Sequence, residues 1–494
     1  MLTAKPTPKM STTSPFYLNL ARHSGTALIS EDKRLSYVEL ETRIQTVEIQ
    51  LKKQCISATG QVALLALPFT TQLEAVTYYL AALRLAVPVL LVDPELATSA
   101  KLTMYQQLGV GFELQNSQLK QLKAGWQAAD YKQLTNKPAQ AVAVMLSTSG
   151  SSGSPKAVML TAKNISANTE SITQYLPIKS TDVAITTLPL HYSYGLSVLN
   201  THLAVGAAII LTEQPLMSRE FWQLVKAHQV TSLAGVPFHY QMLQTLRLER
   251  MKLPSLRYLT QAGGKLNSQA VTHFAQLAAD KGWQFFVMYG QTEATARMAY
   301  VPAELITQHP EVIGQAIPGG RFEIRDLETQ ATIKTPLVEG ELYYFGDNVM
   351  LGYAEKATDW MHPPAPKNTL ATGDLACWTE EGLIKITGRL SRFIKIRGKR
   401  FQLDHLEQQL KDSGIEVYCC GLDDQLFFAY LATTTQAAEQ TTKQISEQIN
   451  HLASQQLALH PSLWQVIALE NLPYLSSGKL DYSSLLNWCL KAKD

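Results

Sequence analysis

At 494 residues the chain has length for about three domains or subdomains with sizeable cores. Its 43 Lys and Arg against 41 Asp and Glu leave a net charge of +2 with no polybasic run, which argues against nucleic acid or anionic membrane and for a small-molecule partner. Five scattered cysteines (Cys55, Cys377, Cys419, Cys420, Cys489) lack CxxC spacing, which speaks against a disulfide framework or a zinc site and suits a reducing cytosol.

The first residues, MLTAKPTPKMSTTSP, carry no apolar signal core, and Arg84 and Pro88 interrupt the longest apolar stretch, residues 80–92. The expectation is a cytoplasmic protein with a flexible N-terminus over residues 1–14. Ser36-x-x-Glu39 reads as a capping box opening a helix whose Leu40, Ile44, Val47 and Leu51 share one face. VALLAL (62–67) and VPVLLVD (87–93) read as buried strands flanking a helix over 71–86, and AVAVML (141–146) as a third strand. A helix over 162–176, a strand DVAITTLPL (182–190), a helix from about Tyr194 and a strand AAIIL (207–211) continue the alternation. After a helix near 218–228 come TSLAGV (231–236), LRYLTQAGG (256–264) and WQFFVMYG (283–290). This alternation implies α/β architecture, mostly parallel sheets with flanking helices, and ligands at the carboxyl ends of the strands.

From about residue 320 the texture changes to short alternating strands: RFEIRD (321–326), GELYYF (340–345), GLIKITG (382–388) and RFIKIRG (392–398). These predict a β subdomain over about 320–388 within a large N-terminal domain, 15–388. Residues 389–494 read as a small α+β domain, with helices near 403–412 and 436–457 and strands near 416–421, 426–432 and 465–470.

Four stretches carry chemistry. In VMLSTSGSSGSPKAVMLT (144–161), nine consecutive Ser, Thr, Gly or Pro residues and a lysine join two apolar runs. So little side-chain bulk lets a polyanion lie against backbone N–H groups. Gly150 and Gly153 permit close approach, Thr148, Ser149, Ser151, Ser152 and Ser154 offer hydroxyls, and Lys156 supplies charge. The competing reading is a low-complexity solvent loop. It is not the ordinary P-loop, because Ser154 and Pro155 separate Gly153 from Lys156 and Ala157 follows the lysine.

Tyr289-Gly290-Gln291-Thr292-Glu293 leaves a strand end with a hydroxyl for phosphate, a carboxylate for Mg²⁺ and a ring for a base, or is an ordinary helix start. In Thr372-Gly373-Asp374 and Gly388-Arg389, the aspartate suits a ribose diol and the arginine the same sugar or a phosphate; alone they read as a turn residue and a surface ion pair. Ser476-Ser477-Gly478-Lys479 puts a lysine on a small-residue loop, either swung onto anions or simply solvated.

In this order and spacing the four resemble the adenylate-forming superfamily: acyl-CoA synthetases, aryl-CoA ligases, adenylation domains of nonribosomal peptide synthetases and beetle luciferases. STSGSSGSPKAV resembles the phosphate-loop signature, YGQTE the Mg²⁺ and adenylate signature, TGDLACW the ribose signature, GRLSRFIKIRGKRF the hinge region and LSSGKLD the catalytic-lysine signature. The resemblance runs from about residue 35 to about 485.

It implies that a carboxylate attacks the α-phosphorus of ATP, and that a thiol, CoA or the phosphopantetheine of a separate carrier protein, then takes the acyl group. The two anions that must meet repel by about 1 kcal/mol at 4 Å in water and several-fold more in a drier site, so cations and aligned donors are required. Carried over by position, Lys479 bridges carboxylate and α-phosphate, Thr148 to Lys156 cradle the β,γ-phosphates, and Thr292 holds the α-phosphate. Glu293 and Thr148 hold Mg²⁺, Tyr289 and Gly290 flank the nucleotide, and Asp374 and Arg389 hold the ribose. The small domain is expected to rotate between half-reactions, exchanging Lys479 for the face with Lys395, Gly398 and Lys399. At the hinge position stands Ser391, where the family usually has Asp or Lys.

LPLHYSYGLSVLN (188–200) resembles the acyl- and aryl-ligase pattern, with His191 where peptide-synthetase versions usually carry an Asp. No carboxylate occurs between 188 and 212 to pair with a substrate ammonium, which favours a fatty, short-chain or aryl acid. His191, Tyr194, Gly195, Gly235, Val236, Gln261, Gly263 and Gly264 are the expected pocket residues; His191 alone also reads as a satisfied core histidine. The sequence ends soon after LSSGKLD, so a carrier protein, if used, is expected to be a separate chain. The remaining alternatives are an amino-acid-activating ligase that loads a stand-alone carrier and a non-catalytic nucleotide-binding regulator.

Overall fold

Ser36 and Glu39 exchange hydrogen bonds between side chain and backbone, so the predicted cap closes reciprocally. The helix it opens, Tyr37–Cys55, buries Leu40, Ile44, Val47 and Leu51 as the spacing requires. The computed structural model describes residues 14–30, 33–122, 128–130, 141–148, 156–397, 399–412, 414–432, 438–451, 454, 460–475 and 478–492. The predicted flexible stretch 1–14 lies outside them except for Ser14, as do Ser149 to Pro155, Gly398, Ser476 and Ser477.

The chain divides into two compact units: Met1–Phe322 with Tyr344–Leu370, and Glu323–Tyr343 with Ala371–Asp494. Unit one contains two large sheets. The first runs Gln315–Ala316, Ala299–Tyr300, Gln284–Tyr289, Tyr258–Gln261, Ser232–Gly235, Val183–Ile185, Ala208–Ile210, Thr26–Ile29 and Arg34–Ser36. Its inner pairs are parallel, and antiparallel strands finish both edges. In the second, Val142–Thr148, Val89–Val92, Gln61–Pro68 and Val110–Gln115 are parallel neighbours. Lys156–Thr161 lies antiparallel to Val142–Thr148, and Gly352–Ala354 then closes that edge against Lys156–Thr161. Leu64, Leu65, Val89, Leu90, Val144 and Met145 are fully buried, as continuous apolar strands covered on both faces must be.

One predicted strand is shorter than its apolar run. Of 182–190 only Val183–Ile185 is strand: Thr186 N–H makes a last ladder bond to the Ile210 carbonyl, the Thr186 and Thr187 hydroxyls turn onto the Thr212 and Ala234 carbonyls, and Pro189 has no N–H to continue the ladder.

Unit two holds most residues of a sheet in the order Thr332–Ile333, Arg321–Arg325, Gly340–Phe345, Thr369–Trp378 and Ile384–Arg389. A hairpin of Phe393–Ile396 with Lys399–Gln402 leads into a three-stranded sheet, Tyr418–Leu422, Gln425–Leu431 and Trp464–Leu469. Its helices are Leu403–Asp412, Ala438–His451 and Tyr482–Lys491, and its core gathers Ile394, Leu406, Leu410, Phe428 and Ile449. Arg392 stacks on Tyr482 at 3.7 Å and bonds Glu407 at 2.8 Å, so the segment entering the hairpin is tied to the last helix. Among the described residues no helix is long and apolar enough to cross a membrane.

Candidate active site

Lys156 opens the strand Lys156–Thr161, and its cross-strand partner is Thr148, so both ends of the serine-glycine loop are fixed in one ladder. Ser149, Gly150, Ser151, Ser152 and Gly153 lie outside the described residues. On the other edge of Lys156–Thr161, Tyr353 pairs with Val158. That register sets the Lys156 ammonium 2.9 Å from Glu355 Oε1 and 5.9 Å from the centre of the Tyr353 ring. The Tyr353 hydroxyl donates to Glu293 Oε1 at 2.8 Å. Burial first, and then the Glu293 charge, push the Tyr353 phenol well above its ordinary pKa, so it remains a donor. One tyrosine that sequence reasoning passed over thus links the predicted phosphate lysine to the predicted metal carboxylate.

The loop after Gln284–Tyr289 is sharply folded. A Cβ on Gly290 would lie 1.7 Å from the Ala296 carbonyl oxygen, so only glycine fits. Thr295 sits at φ +67°, an uncommon conformation for a β-branched residue, with its hydroxyl donating to the Asn348 carbonyl at 2.6 Å. The Asn348 amide in turn donates to the carbonyls of Ala294 and Arg297. This bracing brings the Thr292 hydroxyl 3.3 Å from that of Ser193, the first residue of the helix Ser193–Val205. Its first-turn N–H groups and dipole favour an anion beside Thr292. The Tyr289 hydroxyl accepts from Gln291.

Glu293 fits a magnesium site of the kind that borrows most of its ligands. It is a hard oxygen donor, and no three His, Cys, Asp or Glu among the described residues gather into a metal cluster. Phosphate oxygens and water would complete the shell.

The expected pocket residues line a largely apolar region of unit one. Tyr194 donates to the Thr260 carbonyl at 2.9 Å, and Gly195 packs where a Cβ would meet the Pro189 oxygen at 2.2 Å. The Val236 N–H reaches His239, which burial lowers to about 4. Gln261 donates to the Gly264 carbonyl at 2.8 Å across Gly263, which adopts φ +81°. His191 lies 3.5 Å from Asp93; burial lowers its pKa and Asp93 opposes that shift. Leu188, Val236, Phe286 and Met288 pack around this group.

Arg297 belongs to the same region and was not expected. Its signal in the sequence is a cation inside the otherwise small and apolar run after YGQTE. It is 2% exposed and lies over the Tyr194 ring at 4.4 Å. It donates to Ser197 Oγ and Met288 Sδ, each at 3.1 Å, while its Nε–H meets no acceptor.

In unit two, Asp374 and Arg389 are cross-strand partners, and Arg389 Nε donates to Asp374 Oδ1 at 2.7 Å. The aspartate side chain is 2% exposed and the arginine 54%, so the pair is anchored on the carboxylate side. Lys479 sits on a tight turn in which Leu475 N–H bonds the Lys479 carbonyl and Gly478 adopts φ +75°. Lys395 is exposed in the strand Phe393–Ile396, opposite Arg400. Ser391 is exposed in the turn between Ile384–Arg389 and that strand. The predicted residues therefore assemble in two sets: Lys156, Thr292 and Glu293 with the pocket residues in unit one, and Asp374, Arg389, Lys395 and Lys479 in unit two.

A sequence profile described as AMP-binding enzyme matches residues 19–354. The chain belongs to the AMP-binding enzyme family. Solved AMP-binding enzymes share its fold across nearly the whole chain. The o-succinylbenzoate CoA synthetase MenE of Bacillus subtilis, in complex with its acyl-adenylate intermediate OSB-AMP, superposes with TM-score 0.73 at 21% identity, covering 96% of this chain and 98% of that one. MatB of Rhodopseudomonas palustris, bound to ATP, gives 0.74 at 18% identity, over 97% and 99%. Among curated relatives, the anguibactin system regulator of Vibrio anguillarum is 24% identical over 93% of this chain and 46% of its own length. Bacitracin synthase 3 of Bacillus licheniformis is 26% identical over 93% of this chain and 7% of its own. The chain spans less than half the length of these two curated relatives.

Proposed function

We propose that the chain is an acid–thiol ligase that activates a carboxylic acid with ATP and Mg²⁺ and passes the acyl group to a thiol. In the first half-reaction a carboxylate oxygen bonds the α-phosphorus while the bond from that phosphorus to the bridging oxygen of pyrophosphate breaks. In the second, a thiolate bonds the acyl carbon and AMP leaves with the electron pair. The observation that carries this reading is the joined set Lys156, Tyr353, Glu293, Thr292 and Ser193: one cation, one carboxylate and hydroxyl donors beside a helix N-terminus.

In this reading the 148–156 loop and Lys156 bind the β,γ-phosphates, Thr292 the α-phosphate and Tyr289 the base. Asp374, held by Arg389, binds the ribose diol, and Lys479 neutralises the meeting of carboxylate and α-phosphate. Glu293 would hold magnesium, which when bound supplies charge neutralisation on the phosphate oxygens. Lys395 serves the thiol step after the small domain has turned. A solved MenE with ATP and magnesium, at 22% identity, supports the nucleotide assignment. Relatives that are peptide synthases support a carrier protein beside CoA as acceptor.

The substrate class is a fatty, short-chain or aryl acid rather than an amino acid. The apolar lining favours it, and the buried Arg297 cation would repel an α-ammonium group. An ATP–pyrophosphate exchange screen over carboxylic and amino acids tests the proposal, followed by CoA against holo-carrier as acceptor. Exchange with an acid supports ligase function, exchange confined to amino acids would replace the substrate class, and silence with all would favour a nucleotide-binding regulator.

A further inference from the structure

We propose that Arg297 selects an acid bearing a second carboxylate, distal to the one that is activated. The inference rests on the ligase reading and names the substrate class of that same pocket. Among the described residues no carboxylate forms an ion pair with Arg297, although the side chain is almost completely buried. Of its five N–H donors, some meet the Ser197 hydroxyl, the Tyr175 hydroxyl and a thioether, a weak acceptor, and the Tyr194 ring face offers partial compensation, all of them neutral groups. A buried guanidinium left without an anion is unfavourable, and proteins pair such groups or use them.

The geometry says where the anion enters. Arg297 lines a narrow internal cavity together with Val198, Thr201, His202, Tyr258 and Thr260. Thr260 immediately precedes Gln261 on the strand Tyr258–Gln261, and Val198 lies one helical turn beyond Tyr194 on Ser193–Val205. Arg297 itself lies over the ring of the pocket residue Tyr194, so the cavity adjoins the expected pocket, and in this proposal a substrate activated near Thr292 extends its far end toward Arg297. The orphaned Nε–H lies on the edge of the guanidinium that it shares with Nη2, which donates to Ser197, and this edge is the fork that a carboxylate accepts in bidentate fashion. His202 does not compete for the anion, because burial keeps it neutral.

The test pairs monocarboxylic with dicarboxylic acids of equal chain length in ATP–pyrophosphate exchange, using wild type, Arg297→Met and Arg297→Lys. Wild type is expected to prefer the diacid by at least about a hundred-fold in kcat/KM, the scale on which a site built for a polar group rejects the analogue lacking it. Arg297→Met should abolish that preference and Arg297→Lys should restore part of it. A wild type that uses the monoacid as well as the diacid, or a methionine variant that keeps the preference, overturns the proposal. Calorimetric titration with the same acids separates this from the ligase reading. Diacid binding that is lost in Arg297→Met without exchange would sink the reading and keep the site, while exchange with monoacids alone would do the reverse.

Discussion

Replacing Gly290 by alanine tests whether the YGQTE loop owes its function to its fold. The added Cβ would stand 1.7 Å from the Ala296 oxygen, whereas contacts below 3.0 Å are essentially never seen, so the two strands of the loop must part by the difference, about 1.3 Å. Neither the 2.8 Å bond between Tyr353 and Glu293 nor the 3.3 Å contact between Thr292 and Ser193 survives such a shift. Displacing catalytic groups by about 1 Å costs on the order of 10² in rate. Gly290→Ala should therefore lower ATP–pyrophosphate exchange about 100-fold or more while far-UV circular dichroism still reports a folded chain. Gly388→Ala is the matched control: it too lies in a signature, yet its Cβ would make only ordinary contacts at 3.8 and 3.9 Å, with Leu375 and Asp404. Exchange in Gly290→Ala within about three-fold of wild type, or equal losses in both variants, would refute the steric argument.

Lys479→Ala should slow adenylation by roughly 10²–10³-fold while ATP still binds, as loss of a transition-state donor does; a near-normal exchange rate would contradict the assignment. Asp374→Asn should weaken ATP binding by about 10–100-fold and Arg389→Met only a few-fold, because the carboxylate is buried and the arginine half exposed. Nucleotide titration of both variants would show equal effects if Asp374 merely caps a turn. His202 and His239 are each lowered from 6.5 to about 4 by burial, so between those pH values the unfolded chain takes up protons that the folded chain refuses. Stability is then complete above pH 6.5 and falls as pH drops toward 4, by up to a few kcal/mol per histidine. His202→Gln should flatten that slope in urea melts taken across the range, and an unchanged slope would count against it.

The strands and signatures were legible because they are local: buried strands are unbroken apolar runs, and each signature keeps its chemistry within about a dozen residues. Tyr353 was not legible. It reaches Glu293 only because Gly352–Ala354 returns to pair with Lys156–Thr161, a register that no local pattern announces. Arg297 was hidden for another reason: arginines are mostly exposed, and only the packing of Tyr194, Met288 and Ser197 around it reveals a buried charge. The mutual bond of Asp374 and Arg389 likewise follows from antiparallel register rather than from either motif.

The three residues of Gly352–Ala354 also bear on how the protein may be cut down for study. They cap the open rim of the second sheet, and a truncated version ending before residue 350 would leave the outward N–H and C=O groups of Lys156–Thr161 bare. An uncapped rim of that kind invites chain-to-chain stacking, so such fragments should precipitate where longer ones stay in solution.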